Sequence, residues 1–228
     1  MSIDPRQLPL DPGFDDVRVR GEALAPQRLT AASVRERFRY PGTWTPELRS
    51  DARLTPVAFE DPKPAAVLVL LVERAGQLHV LLTHRARHLH AHAGQISFPG
   101  GRIEPSDDSA VAAALREASE ETGLAIERIE IFGTLPNYLT VTRFDVTPVV
   151  GTVAAPIALK LDAAEVDDAF EVPLSFLMDP RHHERRVAMV QGARRFIYAM
   201  PYDDGNRERL IWGATAAIVR NLYGFLRG

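Results

Sequence analysis

Residues 65–72 read Ala-Ala-Val-Leu-Val-Leu-Leu-Val, an unbroken apolar run between Pro64 and Gly76. A run this rich in β-branched residues favours an extended strand, and its continuity marks a strand that is buried. It falls far short of the ~20 residues needed to cross a bilayer. The run therefore predicts a core strand, with Gln77–Thr83 as its hairpin partner through Arg74-Ala75-Gly76.

The chain changes texture at this point. Before it, residues 1–64 hold 9 of the 17 prolines: Pro5, Pro9, Pro12, Pro26, Pro41, Pro46, Pro56, Pro62 and Pro64. Proline lacks an amide donor and resists helices and central strands. Residues 1–63 are thus expected to form an extended arm that packs on the main domain, with one short helix at Thr30–Arg39 capped by Thr30 or Ser33. After it come strand patterns at Gly94–Gly101 (running into a tight Pro-Gly-Gly turn), Ile129–Leu135, Val146–Val153, Phe170–Pro173, Arg195–Met200 and Arg209–Trp212. Helices are expected at Asp108–Thr122, where Asp107, Asp108 and Ser109 offer caps and Gly123 a stop, and at Ala214–Leu226, read as amphipathic. Strand runs interrupted by two helices indicate an α+β domain with a mixed sheet over residues 64–228.

Composition narrows the function classes. The chain has 228 residues, no cysteine and a net charge of −3. Disulfide, zinc–thiolate, iron–sulfur and catalytic-thiol chemistry are excluded. The charge balance offers no broad basic field for nucleic acid. No secretory signal or membrane-spanning run is visible, so a soluble cytoplasmic protein is the expectation.

The most informative segment is Arg116-Glu117-Ala118-Ser119-Glu120-Glu121-Thr122-Gly123-Leu124. Positions three and four apart share a helix face, so Glu117, Glu120 and Glu121 gather on one side. Val111, Leu115, Ala118 and Thr122 form a narrow packing stripe elsewhere. Glu117 and Glu121 are like charges at four-residue spacing, which costs a few tenths of a kcal/mol. No lysine in the helix compensates them, and acids near a helix C-terminus oppose its dipole. The simplest reason to collect such carboxylates is a hard divalent cation, Mg²⁺ or Mn²⁺, bound through oxygen. Pro99-Gly100-Gly101 precedes the helix, and adjacent glycines let backbone approach a bound ion closely. A plain charged helix face is the rival reading.

Gly101–Leu124 resembles the Nudix box: a glycine, a spaced acid, Arg-Glu, an apolar residue, any residue, Glu-Glu, any residue, Gly and an apolar residue. The second half matches position by position. Gly101 to Arg116 is one residue longer than the common spacing, and Asp107 or Asp108 stands where Glu is usual. That longer loop is similar to the coenzyme A branch of the family. The resemblance implies an α/β/α sandwich with a mixed sheet and a loop–helix–loop catalytic motif. It implies hydrolysis of a nucleoside diphosphate derivative, with Glu117, Glu120 and Glu121 as metal-binding and catalytic acids. The Gly101 carbonyl is implied as a further metal ligand. Arg116 matches the arginine that supports the acids, orienting the loop through Asp107 or Asp108.

The stretch Leu81–Gly101 holds two arginines and four of the seven histidines. It resembles the coenzyme A pyrophosphatase signature at Thr83, Arg85, Ala86, Gly94, Phe98, Pro99, Gly100 and Gly101. His90 stands where that family prefers Arg. Arginine is a forked donor suited to phosphate, so Arg85, with Gly100 and Gly101, is implied in substrate binding. His84 and His88 read as a solvated polar loop, with no acid or thiol interleaved at zinc spacing. Leu135–Gly151 also resembles the coenzyme A branch, with Tyr138 and Thr140 as pocket residues or Tyr138 as a core tyrosine. Glu165 is either a surface acid or one that approaches the metals, and Ile211–Thr215 reads as packing.

The implied reaction splits coenzyme A or an acyl-CoA into 3′,5′-ADP and 4′-phosphopantetheine. The alternatives are ADP-ribose or a dinucleoside polyphosphate as substrate, a non-catalytic nucleotide-sensing module, or a latent enzyme whose arm covers the pocket. The expected partner is a small CoA-like nucleotide, with no nucleic acid and no membrane; homodimer formation is compatible with this reading.

Overall fold

A computed structural model describes residues 4–51, 61–88, 94–190 and 192–228. The long apolar run becomes β1, Lys63–Arg74, and its alternating side chains explain why it has no polar face. Ala66, Leu68, Leu70 and Val72 enter one buried cluster, while Ala65, Val69 and Leu71 enter another. Each cluster is covered by a helix. Ala110–Thr122 forms α3 on the first face and Ala214–Arg227 forms α5 on the second. (The arm's two α-helices are α1, Val17–Arg20, and α2, Ala31–Arg39.) The α/β/α layering and the mixed sheet are as expected.

β1 pairs in parallel with β7, Phe144–Ala154, over its whole length, from Lys63↔Phe144 to Glu73↔Ala154. Its other edge is shared. At its C-terminal end it pairs with β2, Gln77–Arg85, through the turn at Ala75 and Gly76. At its N-terminal end it pairs with β4, Gly100–Arg102, in the register Ala66↔Gly101 and Val67↔Gly100. The strand expected at Gly94–Gly101 is therefore two, because Ile96–Ser97 (β3) follows β2 while the chain crosses to β1 at the Pro-Gly-Gly turn. Gly100 makes that crossing at φ 153°, and a Cβ there would lie 2.4 Å from the Ala66 carbonyl oxygen. The backbone approach that opens the sheet edge thus requires glycine.

Further strands complete the sheet: β5, Glu130–Thr134, and β6, Tyr138–Leu139, both antiparallel to β7, and β8, Val166–Pro173, antiparallel to β2. A short helix, α4, Leu174–Leu177, leads to a three-stranded antiparallel sheet of β9, Glu184–Val190, β10, Ala193–Asp203, and β11, Glu208–Trp212.

One helix expectation holds and one needs correction. In α3 the expected stripe packs inward, with Ala118 and Thr122 buried and Val111 and Leu115 partly buried against the same cluster, and Ala113, Ala114 and Glu121 are buried beside it. Small alanines let the helix lie close on β1, which the larger residues at its flank do not. α5 is not amphipathic in context: Thr215–Tyr223 is buried without interruption. Its outer face is covered by the arm. Phe14, Leu29 and Val34 share the buried cluster of α5. Arg220 donates to Glu47 at 2.7 Å and to the Arg20 carbonyl at 2.8 Å. Asn221 accepts from the Leu48 amide at 3.0 Å and donates to its carbonyl at 2.6 Å. The polar residues of this helix are satisfied by the arm, through Glu47 and through backbone groups.

Candidate active site

The acidic helix begins at Ser109, whose hydroxyl accepts from the Ala112 amide at 3.1 Å, and ends at Gly123 with φ 67°. This frame fixes where each acid points. Glu121 is 2% exposed and faces the gap between β4 and the end of β2, where it accepts from the Gly100 amide and from Arg85 Nη1, both at 3.3 Å. Glu117, one turn earlier, has a side chain 16% exposed. Glu120 has a side chain 59% exposed and points outward. The face expected to carry all three acids carries two of them inward.

Arg116 organises the loop. It forms a fork on Asp107, with two contacts of 2.9 Å, and also reaches Glu117 at 3.1 Å, Glu120 at 2.9 Å and the Arg102 carbonyl at 3.1 Å. Of the two aspartates open at the sequence level, Asp107 is the partner. The Arg116 guanidinium holds the Asp107 carboxyl down at about 2, so that it stays ionised and the loop stays tied to the helix.

A cavity of about 500 Å³ lies over the split sheet edge, with Glu117, Glu121 and Glu165 on one wall beside Arg85, Gly100 and Gly101. Glu165 is set there by its carbonyl, which accepts from the Ala86 amide at 2.9 Å just after β2. Burial raises the Glu117 carboxyl, Arg116 opposes the rise, and Glu120 and Glu165 add to it. Burial pushes the Glu121 carboxyl up to about 7; Arg85 and the Gly100 amide oppose, and Glu165 and Glu117 add to the rise. The cavity is thus short of positive charge, with buried acids that repel one another. A Cβ on Gly101 would sit 2.4 Å from the Glu117 carboxyl carbon, so glycine keeps this cradle open.

Hard carboxylate oxygens in this arrangement fit a divalent ion. Among the described residues no three acids or histidines converge to metal-ligand distance. A magnesium-type site nonetheless commonly uses one or two carboxylates and completes its shell with water and substrate phosphate.

The opposite wall was less visible in the sequence. Tyr138 is 2% exposed in the core and does not line the cavity, whereas Thr140 and its neighbours Val141 and Thr142 do. Trp212, Gly213, Ala214 and Thr215, read as packing, also face it, and Thr215 donates to the Ile96 carbonyl at 3.0 Å. Phe98 is 2% exposed, a core residue with its edge on the wall. Asp51 reaches the cavity from the arm, and burial pushes its carboxyl up to about 6 against amide donation from Val141 and its own N–H. No sequence signal marks Asp51. His88 binds the Ala164 carbonyl at 3.0 Å, and His84 faces away from this cavity. His90 lies outside the described residues.

The chain matches the NUDIX domain family model over residues 62–192. It belongs to the Nudix family, whose hydrolases act on nucleoside diphosphate derivatives and generally use divalent metal ions. It is 38% identical over 160 residues to the uncharacterized Nudix hydrolase NudL of Escherichia coli K12, covering 70% of this chain and 81% of that one. The NudL of Salmonella paratyphi B is similar at 38% identity over 160 residues, with the same coverage. Among solved structures, the Nudix hydrolase RenU of M. smegmatis is 25% identical, covering 58% of this chain and 80% of that one at a TM-score of 0.44. The NUDIX domain of Shewanella oneidensis NrtR, solved with ADP ribose, is 28% identical, with 53% and 79% coverage and a TM-score of 0.40. Among the described residues no helix is long and apolar enough to cross a membrane.

Proposed function

We propose that this protein hydrolyses the pyrophosphate bond of coenzyme A or an acyl-CoA, in the cytoplasm, with Mg²⁺ or Mn²⁺ as cofactor. The supporting observation is convergence: Arg85, from the stretch that resembles the coenzyme A signature, meets Glu121, from the acidic helix, at 3.3 Å on one cavity wall. Beside that polar wall, Val67, Phe98, Phe144, Val146 and Ile218 give the cavity an apolar side suited to the uncharged parts of such a substrate.

In this reading Glu117 and Glu121, with the Gly101 carbonyl, hold the metal, and Glu120 supports it from the outer rim through Arg116. The ion supplies charge withdrawal from the diphosphate oxygens and a more acidic water. Arg85 donates to a diphosphate oxygen and neutralises charge that grows in the in-line transition state. Arg116 keeps Asp107 and Glu117 in register, and Gly100 lends an amide to Glu121. Water attacks one phosphorus and the bridging P–O bond breaks. The water oxygen remains on one product phosphate, and its protons pass to the medium or to the leaving phosphate.

A substrate panel of coenzyme A, ADP-ribose and a dinucleoside polyphosphate, each with Mg²⁺ and with Mn²⁺ and read by product mass, tests the assignment. Coenzyme A is expected to give 3′,5′-ADP and 4′-phosphopantetheine with the highest kcat/KM. Faster turnover of ADP-ribose or the polyphosphate would move the assignment to that substrate, and an inert panel would favour a nucleotide-sensing module.

A further inference from the structure

The arm brings to the main cavity an acid that the hydrolysis does not use. Its end is stitched to β6. The Leu139 amide donates to the Arg49 carbonyl at 3.0 Å, and the Leu139 carbonyl accepts from the Asp51 amide at 3.1 Å and from Ser50 Oγ at 2.8 Å. Leu48 is tied to Asn221 of α5 through both of its backbone groups. Asp51 is thereby held on the cavity wall beside Thr140, Val141 and Thr142. It lies outside residues 62–192, the stretch that matches the family model.

The fold does not offset the burial of this acid. Asp51 Oδ1 is buried with no hydrogen-bond partner among the described residues. The carboxyl is served by the Val141 amide and its own N–H, and no arginine or lysine of the described residues compensates it. Burial pushes it up to about 6, which leaves it ionised at pH 8. A buried acceptor without a partner costs stability. Its place on a cavity wall points to a ligand that supplies the missing donor.

The surroundings select that ligand. The nearest hydroxyl is spent internally: Thr140 Oγ1 lies 3.0 Å from Thr142 Oγ1 and accepts from the Phe144 amide at 3.1 Å. Ala65, Val67, Val141, Phe144 and Val146 make the adjoining wall apolar. Arg102 is exposed, lies 5.7 Å over the Phe144 ring and is not among the charges that act on Asp51. A carboxylate repels phosphate, so the diphosphate belongs beside Arg85 and the metal, and the Asp51 side takes an uncharged part of the substrate. A ribose carries several polar groups close together and needs several partners. A methylene chain interrupted by amides needs an apolar wall and an acceptor for an N–H.

We infer that Asp51 accepts a hydrogen bond from an amide N–H of the pantetheine arm of the substrate, and so selects coenzyme A over nucleotides that lack amides there. The inference rests on the reading of the cavity as a coenzyme A site and adds a specificity residue to it.

Calorimetric titration of the full chain at pH 8 with 4′-phosphopantetheine and with adenosine 3′,5′-bisphosphate, the two halves of the substrate, tests the contact without turnover. Asp51→Asn keeps the shape of the side chain, removes its charge and replaces an acceptor oxygen with a donor. The variant is expected to bind 4′-phosphopantetheine about tenfold or more weakly, the worth of a hydrogen bond to a charged acceptor, and the bisphosphate as tightly as the wild type. A group raised to about 6 in the folded protein lends stability that is lost as pH rises through that value, so its ionised form is a cost at pH 8. The urea midpoint of the unliganded variant is therefore expected not to fall. Undiminished 4′-phosphopantetheine binding, equal weakening of both halves, a loss confined to the bisphosphate, or a lower midpoint would each overturn the inference. Wild-type turnover of coenzyme A separates the two readings. Turnover with 4′-phosphopantetheine binding unchanged in the variant would leave the activity and defeat the role of Asp51. Binding that depends on Asp51 without turnover would defeat the activity and leave the contact standing. A wild type that neither binds 4′-phosphopantetheine nor hydrolyses coenzyme A would defeat both.

Discussion

Glu121→Gln is expected to lose at least about a hundredfold in hydrolysis while making the metal-free protein more stable. The activity loss follows from position. Disturbing a residue that merely supports a metal ligand costs 10–100-fold as a rule, and Glu121 is proposed as a ligand itself. The stability gain follows from burial. Glu121 is 2% exposed, and burial pushes its carboxyl up to about 7, above the ordinary 4.5. The folded state therefore binds a proton more tightly than the unfolded chain does. Stability from this group is fully present below pH 4.5 and is lost as pH rises through about 7. At pH 8 the ionised carboxylate costs about 3 kcal/mol at most. Glutamine removes it and still accepts from the Gly100 amide. Urea unfolding in chelator is expected to show the variant about 1–3 kcal/mol more stable at pH 8, with the difference closing toward pH 4.5. A variant less stable than wild type at pH 8 would contradict this account of the site.

Arg220→Ala carries the largest expected loss of stability. Arg220 is 3% exposed in α5. Its guanidinium meets Glu47, the carbonyls of Val19 and Arg20, and the rings of Phe14, Tyr198 and Tyr223 at 4.9–5.8 Å. Truncation strands a carboxylate and two carbonyls and opens a void where the arm crosses the helix. Breaking a buried, hydrogen-bonded ion pair costs about 3–5 kcal/mol. Glu47, with a side chain 42% exposed, can turn to water, which places the expectation at the lower end, about 3 kcal/mol. Equilibrium urea unfolding reads this directly, and a loss below about 1 kcal/mol would show that the arm is not held through Arg220.

These two residues also show what a sequence can and cannot convey. α3 was legible because its signals are local: Ser109 before it, Gly123 after it, alanines within. The hairpin of β1 and β2 was legible for the same reason. The separation of the glutamates was not. At about 100° per residue, Glu120 and Glu121 diverge by that angle, with Glu117 between them. Which flank faces inward depends on where the sheet edge splits, and that is a tertiary fact. β9 was missed because arginines at Arg185 and Arg186 interrupt its apolar pattern; their charges are met by Asp11 and Glu184. The arm was expected to pack on the main domain, but no signal in it marked Asp51 for the cavity or α5 as the surface it covers. The helix read as amphipathic because the partners of Arg220 and Asn221 lie more than 170 residues away.

The central claim is that Glu117 and Glu121 form a divalent-ion site at the split edge of the sheet. Electron paramagnetic resonance of free Mn²⁺, titrated against the wild type and the Glu117→Gln/Glu121→Gln double variant, measures it most directly. The wild type is expected to deplete the free-ion signal in proportion to protein, and the double variant to leave it unchanged. A double variant that removes Mn²⁺ from solution as well as the wild type does would contradict it.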